Sequence, residues 1–488
     1  MSEHLLVIDA GTTSTRAMLF DRAGKLAGSA QAEIGQHFPR PGWVEHDPQE
    51  IWQASLNCAR RVLGNRRPES IAAIGITNQR ETVVAWDRTT LNPLARAIVW
   101  QDRRTADRCR DLRERGEEEA VFGETGLLLD PYFSATKMRW MIDHVPEVRA
   151  AAEAGRLAFG TIESWLVAKL SGGDHVSDAS NASRTQLLPL GKAGFSQDLC
   201  DLFGVPHAAL PRVVDTHGQL AVTDTELFGR AIPICGLVGD QQAATIGQGC
   251  LSEGETKATY GTGAFILANH GTAIPHSEHR LLSTVLTQSG GERTYAIEGS
   301  VFVAGSLIQW LRDSLGLIEN AAESEALARS IEDSGEVVIV PALAGLGAPH
   351  WRADARGLIS GLSFASGRAQ IVRAALESMA CQTNDLATAF AADGARWESL
   401  RIDGGMSAND WLAQDIADIL GIAVERPQFV ETTALGAAVA AATGIGWYAT
   451  LAEAAEAMRG AIDRFEPTMD ADTRKERLDR WAKALAAA

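Results

Sequence analysis

The chain contains 488 residues, of which 45% are hydrophobic and 22% are charged, and its formal net charge is −17 at pH 7. This length exceeds that of one ordinary domain and predicts two. The negative charge argues against general binding to nucleic acid or to an anionic membrane surface, but it allows one anionic ligand in a local basic pocket.

The cysteine pattern indicates a reducing compartment. The six cysteines form no CxxC pair and have no histidine at ligand spacing, so the sequence predicts neither a zinc site nor a disulfide framework. The N-terminus shows no basic segment followed by a long apolar run, and we expect no secretory signal. We therefore expect a cytoplasmic protein with reduced thiols. The apolar stretch Ala434–Ala449 is too interrupted for a membrane span and predicts a buried helix.

Short β-branched runs alternate with helical patterns along the whole chain. Each predicted strand ends near Gly, Pro, Asp or Asn. The strands are predicted at Leu5–Ile8, Ala17–Phe20, Ile71–Thr77, Ala231–Val238, Lys257–Tyr260, Val337–Val340 and Leu400–Ile402. Apolar residues at helical spacing predict helices at Asp47–Leu63 and Ala369–Phe390. This alternation predicts an α/β fold.

One strand–turn–strand outline occurs twice. It covers Leu5–Phe20 and returns at Glu255–Asn269, where Gly261, Thr262 and Gly263 form the turn. Two similar domains that each offer a turn to a shared cleft would explain the repeat, and two unrelated hairpins are the alternative. The Gly-rich stretch Gly247–Glu255 is the predicted junction, which divides the chain into residues 1–247 and 248–488.

The first turn has the composition of a phosphate-binding site. Its glycine and hydroxyl residues present backbone N–H groups and side-chain donors to one point. Asp9, at the end of the strand, is placed to hold Mg²⁺ through water, and Mg²⁺ usually arrives with phosphates. The turn is neither a Walker A loop, since no GK[ST] follows, nor a GxGxxG motif that opens a helix. An ordinary polar hairpin turn is the alternative.

A further glycine-rich turn lies in LRIDGGMSAND (Leu400–Asp410), where a predicted strand meets a helix that begins near Ser407–Asn409. A close backbone approach at Gly405 and the amide of Asn409 suit a nucleotide base or ribose. A plain strand-to-helix turn with an N-cap is the alternative.

Twelve stretches together resemble the FGGY carbohydrate kinases, in family order. They are DAGTTSTRA (Asp9–Ala17), PGWVEHDPQEIW (Pro41–Trp52), GITNQRET (Gly75–Thr82), IVWQDRRTA (Ile98–Ala106), DPYFSATK (Asp130–Lys137), SNASRT (Ser180–Thr185), GDQQAA (Gly239–Ala244), YGTGAF (Tyr260–Phe265), EGSVFVAGSLIQWLRD (Glu298–Asp313), LGAPHW (Leu346–Trp351), DGGMSAND (Asp403–Asp410) and ETTALGAA (Glu431–Ala438). The resemblance implies two ribonuclease-H-like domains of the actin and hexokinase type, with ATP and substrate in the central cleft.

The resemblance also implies a reaction and its residues. The family moves the γ-phosphoryl group of ATP to a terminal polyol hydroxyl, and here glycerol is the expected polyol. Asp240 falls on the catalytic base and Asp9 on the carboxylate linked to Mg²⁺. The polyol-binding positions are Arg80, Glu81, Trp100, Tyr132, Asp240, Gln241 and Phe265. The ATP-contacting positions are Thr12, Thr13, Ser14, Arg16, Thr262, Gly305, Gln309, Gly405 and Asn409.

These roles make physical sense, but each has a plainer alternative. Neighbouring residues on a strand point to opposite faces, so Arg80 and Glu81 must lie in a loop if both grip the polyol. The alternatives are that Asp240 only caps a helix, that Arg80 and Glu81 form a solvated charge pair, and that Trp100 and Phe265 belong to the core.

Three departures from the family pattern leave the substrate open to a tetritol. The family commonly has Gln where Ala10 stands, Asp where Glu163 stands and Ser where Thr15 stands. A non-catalytic, actin-like nucleotide-binding protein is the alternative from another class. The two acids Asp9 and Asp240 argue against it. The resemblance further implies a homo-oligomer, a dimer or a tetramer.

Overall fold

Strands and helices alternate along the chain, as the sequence predicts. The computed structural model describes residues 3–64, 66–352 and 354–488. The strands are β1 His4–Ala10, β2 Ser14–Asp21, β3 Leu26–Glu33, β4 Glu45–His46, β5 Ile71–Asn78, β6 Val84–Asp87, β7 Ala97–Ile98, β8 Leu157–Gly160, β9 Val176–Asp178, β10 Arg212–Val214, β11 His217–Val222, β12 Pro233–Gly239, β13 Thr256–Tyr260, β14 Ala264–Asn269, β15 Leu282–Ser289, β16 Glu292–Val301, β17 Val338–Val340, β18 Leu358–Ser360, β19 Ser399–Asp403, β20 Ala423–Pro427 and β21 Ile462–Phe465.

The helices connect these strands and cover their faces. They are α1 Pro48–Leu63, α2 Ala106–Glu114, α3 Glu118–Thr125, α4 Ser134–His144, α5 Pro146–Glu153, α6 Ile162–Ser171, α7 Ala179–Ala182, α8 Gln197–Phe203, α9 Thr225–Phe228, α10 Asp240–Gly247, α11 Gly305–Asp313, α12 Glu323–Arg329, α13 Arg368–Ala392, α14 Asp410–Leu420, α15 Thr432–Gly444, α16 Leu451–Met458 and α17 Ala471–Ala487. Short 3₁₀ turns lie at Pro68–Ser70, Ser183–Thr185, His207–Ala209 and Gly405–Ala408.

The first large sheet has the strand order β11-β12-β5-β1-β2-β3. Strands β12, β5 and β1 run parallel, while β2, β3 and β11 are antiparallel to their neighbours. The residues Leu5–Ile8 of β1 are all buried, as is typical of a central strand with both faces covered. Because the carboxyl ends of β1, β5 and β12 meet at one edge, the residues that follow these strands lie together.

The second large sheet repeats this plan, in the order β15-β16-β14-β13-β19-β20-β21. The antiparallel hairpin β13–β14 takes the place of β1–β2, and β19 and β20 run parallel beside it. The predicted repeat of Leu5–Phe20 at Glu255–Asn269 is therefore confirmed as a pair of hairpins in equivalent positions. Two sheets of this kind are the two-domain arrangement of the actin and hexokinase ATPases.

Helix α1 shows how local sequence sets one of these elements. Asp47 is its N-cap, and the Asp47 carboxylate accepts a hydrogen bond from the Gln49 backbone N–H at 2.8 Å. Pro48 takes the first helical position, where its missing N–H costs nothing. The apolar face, which includes Ile51, Trp52 and Leu56, packs on the first sheet. The predicted helix Asp47–Leu63 is confirmed.

Helix α15 reaches across the chain to cover the other face of the first sheet. Its residues Ala434, Leu435 and Ala438 join Leu5 and Val7 of β1 in one buried cluster. It also crosses α10 closely, since a Cβ on Gly436 would stand 1.8 Å from the Ala243 carbonyl oxygen. The predicted helix at 434–449 is thus confirmed as far as Gly444 and buried as far as Thr443, whereas residues 445–449 leave the helix and are partly exposed. Among the described residues, no helix is long and apolar enough to cross a membrane.

Candidate active site

The ends of three strands of the first sheet bring two aspartates, one glutamate and one arginine to one place. Asp9 lies near the end of β1 and is level with Thr77 on β5, which is in turn level with Val238 on β12. Arg80 and Glu81 follow β5 in a loop, and Asp240 follows β12 directly as the first residue of α10. This is the edge of a sheet where ligands of α/β proteins bind.

The loop after β5 turns two neighbouring side chains inward. Glu81 has φ of 61°, a left-handed conformation that breaks strand alternation. The Arg80 Nε atom consequently lies 3.9 Å from Glu81 Oε1, and both side chains are almost fully buried. The prediction that both residues lie in a loop is confirmed, and the alternative of a solvated charge pair is wrong.

A buried ion-pair network surrounds Arg80 and Glu81. The Arg80 guanidinium donates to both carboxylate oxygens of Glu298, at 2.6 and 3.1 Å. Arg184 Nε donates to Glu81 Oε1 at 2.6 Å, and Arg184 Nη2 donates to Glu298 Oε1 at 3.1 Å. Charges removed from water in this way need such pairing. The network fixes the orientation of the Arg80 guanidinium and of the Glu81 carboxylate, the two groups that are predicted to bind the polyol.

Sequence reasoning assigned no role to Arg184 or Glu298. Both lie inside the stretches that carry the family resemblance, and Glu298 stands in the middle of the buried strand β16. A carboxylate within an apolar strand is the available signal, because charges are almost never buried without a partner. The same signal marks Lys257 on β13, which is also fully buried.

Asp240 lies beside Arg80, and 30% of its side chain is exposed. Its Oδ1 atom is 3.3 Å from Arg80 Nε and accepts the Gln241 backbone N–H at 2.7 Å. Loss of water on burial raises the pKa of Asp240 to about 6, while Arg80 opposes that rise and Glu81 adds to it. Asp240 is the first residue of α10 and Gly239 is the N-cap, so Asp240 bonds to a first-turn N–H from inside the helix. A carboxylate with this pKa is suited to accept a proton near neutral pH.

An aromatic wall borders these charges. The Trp100 ring meets the rings of Tyr132 and Phe265 edge to face, with centroids 5.7 and 6.3 Å apart. Trp100 and Phe265 are half-buried, unlike core residues. Arg80 Nη2 lies at hydrogen-bond distance, 3.5 Å, from the Tyr132 hydroxyl. Apolar ring faces next to paired charges suit a small molecule that carries hydroxyls on a carbon chain.

The turn between β1 and β2 holds the predicted phosphate-binding residues. The Gly11 N–H donates to the Ser14 carbonyl at 3.0 Å, which closes a tight turn. Thr13 at its tip is exposed, while Thr12 and Ser14 are half-buried. The Trp100 indole N–H donates to the Thr12 hydroxyl at 3.0 Å and so joins this turn to the aromatic wall.

Asp9 sits behind that turn with a surplus of negative charge. Its Oδ2 atom is 3.8 Å from Arg16 Nε, and Arg16 in turn pairs with Glu431. Burial raises the pKa of Asp9 to about 6; Arg16 opposes this rise, and the charges of Asp240 and Glu431 contribute to it. The described residues contain no cluster of three or more potential metal-ligating side chains. A single hard carboxylate near a phosphate turn fits a Mg²⁺ ion that keeps its waters and arrives with ATP.

The matching turn of the second sheet holds Thr262, Gly305 and Gln309. The Ala304 N–H donates to the Thr262 carbonyl and the Gly305 N–H to the Gly261 carbonyl, both at 2.9 Å. A Cβ on Gly305 would stand 2.5 Å from that Gly261 oxygen, so the glycine lets α11 begin against the turn. Thr262 and Gln309 are exposed.

In the Asp403–Asp410 turn, the two predicted ATP-contacting residues Gly405 and Asn409 have different surroundings. Gly405 is exposed, and a Cβ there would meet no protein atom within 4 Å, so its backbone is open to a ligand. The Asn409 side chain caps α14, because its Oδ1 accepts the Leu412 N–H at 2.9 Å. The alternative prediction of an N-cap is therefore confirmed for the Asn409 side chain.

The predicted residues fall into two groups, one at each large sheet. The first unites the polyol candidates, Asp240, Asp9 and the first turn through the contacts above. The second consists of the turns of the second sheet, whose members are Thr262, Gly305, Gln309, Gly405 and Asn409. Arg16 pairs with Glu431, the residue directly before α15, and so links that part of the chain to the first turn.

Comparison with known proteins identifies close relatives of this arrangement. The N-terminal domain model of the FGGY family of carbohydrate kinases matches residues 4–247, and the C-terminal domain model matches residues 256–445. The glycerol kinase of Aromatoleum aromaticum is 52% identical over 99% of this chain and 98% of its own, and that of Alcanivorax borkumensis is 51% identical over 99% and 98%.

Solved structures of kinases superpose on this chain over nearly its whole length. The crystal structure of Plasmodium falciparum glycerol kinase with ADP superposes with a TM-score of 0.93 at 34% identity, over 99% of this chain and 98% of that one. The xylulose kinase of Lactobacillus acidophilus superposes with a TM-score of 0.88 at 21% identity, over 99% and 98%. The second likeness concerns the fold alone.

Proposed function

The chain belongs to the FGGY family of carbohydrate kinases, and we propose that it transfers the γ-phosphoryl group of ATP to glycerol, giving glycerol 3-phosphate and ADP. The observation that carries the choice of substrate is the buried pair Arg80 and Glu81 beside Asp240. Arginine donates hydrogen bonds and glutamate accepts them, so adjacent hydroxyls of a small triol can be satisfied in full.

Asp240 is the proposed proton acceptor of the reaction. A terminal hydroxyl of glycerol would donate to the Asp240 carboxylate, which takes the proton as the new oxygen–phosphorus bond forms. Because phosphoryl transfer has a loose transition state, this carboxylate mainly orients the hydroxyl and accepts its proton late. Arg80 and Glu81 would fix the remaining hydroxyls, while the rings of Trp100 and Phe265 cover the C–H face.

The glycine turns on the two sheets are the proposed ATP site. Thr12, Thr13, Ser14 and Arg16 from the first turn would face the phosphates. Thr262, Gly305 and Gln309 would hold them from the second sheet, and Gly405 and Asn409 would approach the nucleoside. Asp9 would hold a divalent cation through water, and that cation neutralises charge on the β- and γ-phosphates when it is bound. We propose Mg²⁺ as this ion, to be tested by adding single metals after treatment with a chelator.

A substrate panel with coupled ADP detection tests the proposed reaction. The panel contains glycerol, erythritol, threitol and xylulose at equal concentrations. We expect the highest kcat/KM with glycerol, because Arg80, Glu81 and Asp240 can bond to three hydroxyls and a fourth hydroxyl would need a further partner. A higher value with a tetritol would establish the alternative substrate, and no turnover on any member would overturn the kinase reaction.

Two further properties are part of the proposal. The cysteines of the described residues are free and buried, which suits a reducing compartment, and we propose that the protein works in the cytoplasm. We also propose a homo-oligomer, a dimer or a tetramer, which light scattering on the purified protein would measure. The division between domains is proposed at residue 247, where α10 ends.

A further inference from the structure

Lys257 is a fully buried cation in the centre of the site. It lies on β13, and its side chain has no exposed surface. Its Nζ atom donates to Gln241 Oε1 at 2.6 Å, to the Thr259 hydroxyl at 2.9 Å and to the Phe265 carbonyl at 3.5 Å. Lys257 and Thr259 share a face of the strand because they are two residues apart. All three ammonium hydrogens therefore have acceptors.

This contact determines which way the Gln241 amide points. An ammonium group donates hydrogen bonds and accepts none, so the atom that faces Lys257 must be the amide oxygen. The NH₂ group of Gln241 is then the part of the amide that has no bond to Lys257. Within the described residues, Gln241 Nε2 donates to no protein acceptor, and Gln241 keeps 8% of its surface exposed. The neighbouring backbone N–H of Gln241 is already bonded to Asp240.

Charges on the surrounding elements favour the protonated lysine. Asp403 on β19, Asp240 on α10 and Glu298 on β16 attract the ammonium group, and Arg80 repels it. Burial lowers the pKa of Lys257 to about 8 against that attraction. The lysine is consequently charged at neutral pH and loses its proton only in mildly alkaline solution.

We propose that Lys257 is a positioning residue that locks the Gln241 amide with its NH₂ group toward the substrate, so that the site requires an accepting oxygen beside the hydroxyl held by Asp240. This inference rests on the proposed phosphorylation of glycerol. It makes Lys257 a determinant of specificity, although Lys257 touches no reacting atom. Discrimination arises because an analogue without that oxygen leaves the fixed NH₂ group unpaired.

The experiment compares glycerol with two analogues that each lack one hydroxyl, 1,2-propanediol and 1,3-propanediol. The measured quantity is the ratio of kcat/KM for glycerol to that for each diol. In Lys257→Met we expect the ratio to fall about 10-fold for the diol that lacks the accepting oxygen. This fall corresponds to the loss of one fixed hydrogen bond. Gln241→Leu should lower the ratio for the same diol, and the double variant should lower it no further.

Thr259→Val is the matched control, because it removes another acceptor of Lys257 and keeps the contact with Gln241. Its ratios should equal those of the wild type. If Thr259→Val reproduces the effect of Lys257→Met, the effect comes from general disturbance of β13 and the proposal is overturned. Thermal unfolding of each variant checks that it is folded.

A second measurement uses the wild type alone and does not depend on how any variant folds. Above about pH 8 the neutral amine can accept as well as donate, so the amide is free to turn over. The ratio for the same diol should be constant from pH 6.5 to 7.5 and decline by pH 9.5. Turnover of glycerol with ratios unmoved by pH and by Lys257→Met would overturn this inference. Absence of glycerol turnover in the wild type would instead overturn the proposed function.

Discussion

Arg80 Nη1 and Glu298 Oε2 lie 2.6 Å apart. Arg80 follows strand β5 of the first sheet, whereas Glu298 lies on strand β16 of the second. Both side chains are fully enclosed, and although burial acts to raise the pKa of Glu298, the positive charges of Arg184 and Arg80 hold it down at about 2. The carboxylate therefore stays ionised throughout the physiological range. This pair is at once a contact between domains and a support for the proposed polyol pocket.

Replacing Arg80 with alanine should affect both binding and stability. We expect the KM for glycerol to rise far more than the KM for ATP, since a charge-assisted hydrogen bond is worth about 1.5–3 kcal/mol. We also expect a loss of up to about 3–5 kcal/mol in unfolding free energy, because the buried carboxylate of Glu298 would lose one of its two arginine partners and keep only the other, Arg184. Steady-state kinetics and urea denaturation measure the two effects.

The control for this substitution is Arg110→Ala, which removes an exposed arginine paired with Asp107 on one helix. It should change neither constant, because exposed pairs contribute little. An equal rise in both KM values for Arg80→Ala would place Arg80 outside the polyol pocket.

Asp240→Asn should nearly abolish turnover and leave ATP affinity close to that of the wild type. The amide retains the shape but cannot take the proton, and a positioned proton acceptor contributes at least ~10²-fold. Rapid-quench kinetics give the rate of the chemical step, and a fluorescent ATP analogue gives the affinity. Asp198→Asn, in the first turn of α8, is the control. Near-normal turnover in Asp240→Asn would remove its assignment as the base.

Activity should decline on the acid side of neutrality. Burial raises the pKa of Asp240 and that of Asp9 to about 6, so both carboxyls become protonated as the pH falls through that value. We expect kcat/KM for glycerol to be constant near pH 7.5 and to fall progressively below about pH 6. Enzyme returned from pH 5 to pH 7.5 must recover full activity, which excludes unfolding. A flat profile down to pH 4.5 would contradict the raised pKa values.

Glu163 should make the protein less stable in alkaline solution. Burial and the charge of Asp178 raise the pKa of Glu163 from 4.5 to about 7. The folded state then binds this proton more tightly than the unfolded state, so the stabilisation is complete below about pH 4.5 and is lost as the pH rises through about 7. Glu163→Gln cannot ionise and escapes that loss.

The measurement is the unfolding midpoint of Glu163→Gln minus that of the wild type, at pH 5 and pH 8. We expect the difference to be more positive at pH 8 by a few degrees, since 1 kcal/mol moves the Tm of a domain of 150–250 residues by about 2–4 °C. Glu153→Gln on the exposed end of α5 should show no such change. A difference that is the same at both pH values would show that Glu163 ionises normally.

Local sequence was enough to predict the strand ends and the residues that follow them. Asp9 and Asp240 stand where an apolar run stops, and strand direction then brings them to one edge of the sheet. The fold class, the paired hairpins and the helix after Asp47 follow from similarly short patterns. The family resemblance supplied the roles, which spacing alone does not.

Contacts between distant parts of the chain could not be predicted in this way. Arg80 and Glu298 are 218 positions apart, and Arg184 joins them from a third segment. Each residue alone looks like an ordinary charge, and only the fold combines these three with Glu81 into a neutral set of two arginines and two glutamates. Likewise the Asn409 amide satisfies the N-terminus of α14, a local use that competes with the ligand role suggested by its motif.

The packing of α15 on β1 has a consequence for how the protein is made. The strands of the first sheet are complete at residue 239, whereas α15 begins at residue 432. At about 5–20 residues per second, a ribosome needs roughly 10–40 s to add the intervening segment. During that time the apolar face formed by Leu5 and Val7 lacks its native cover. The nascent first half is therefore exposed to aggregation and to chaperone binding until almost the whole chain has been translated.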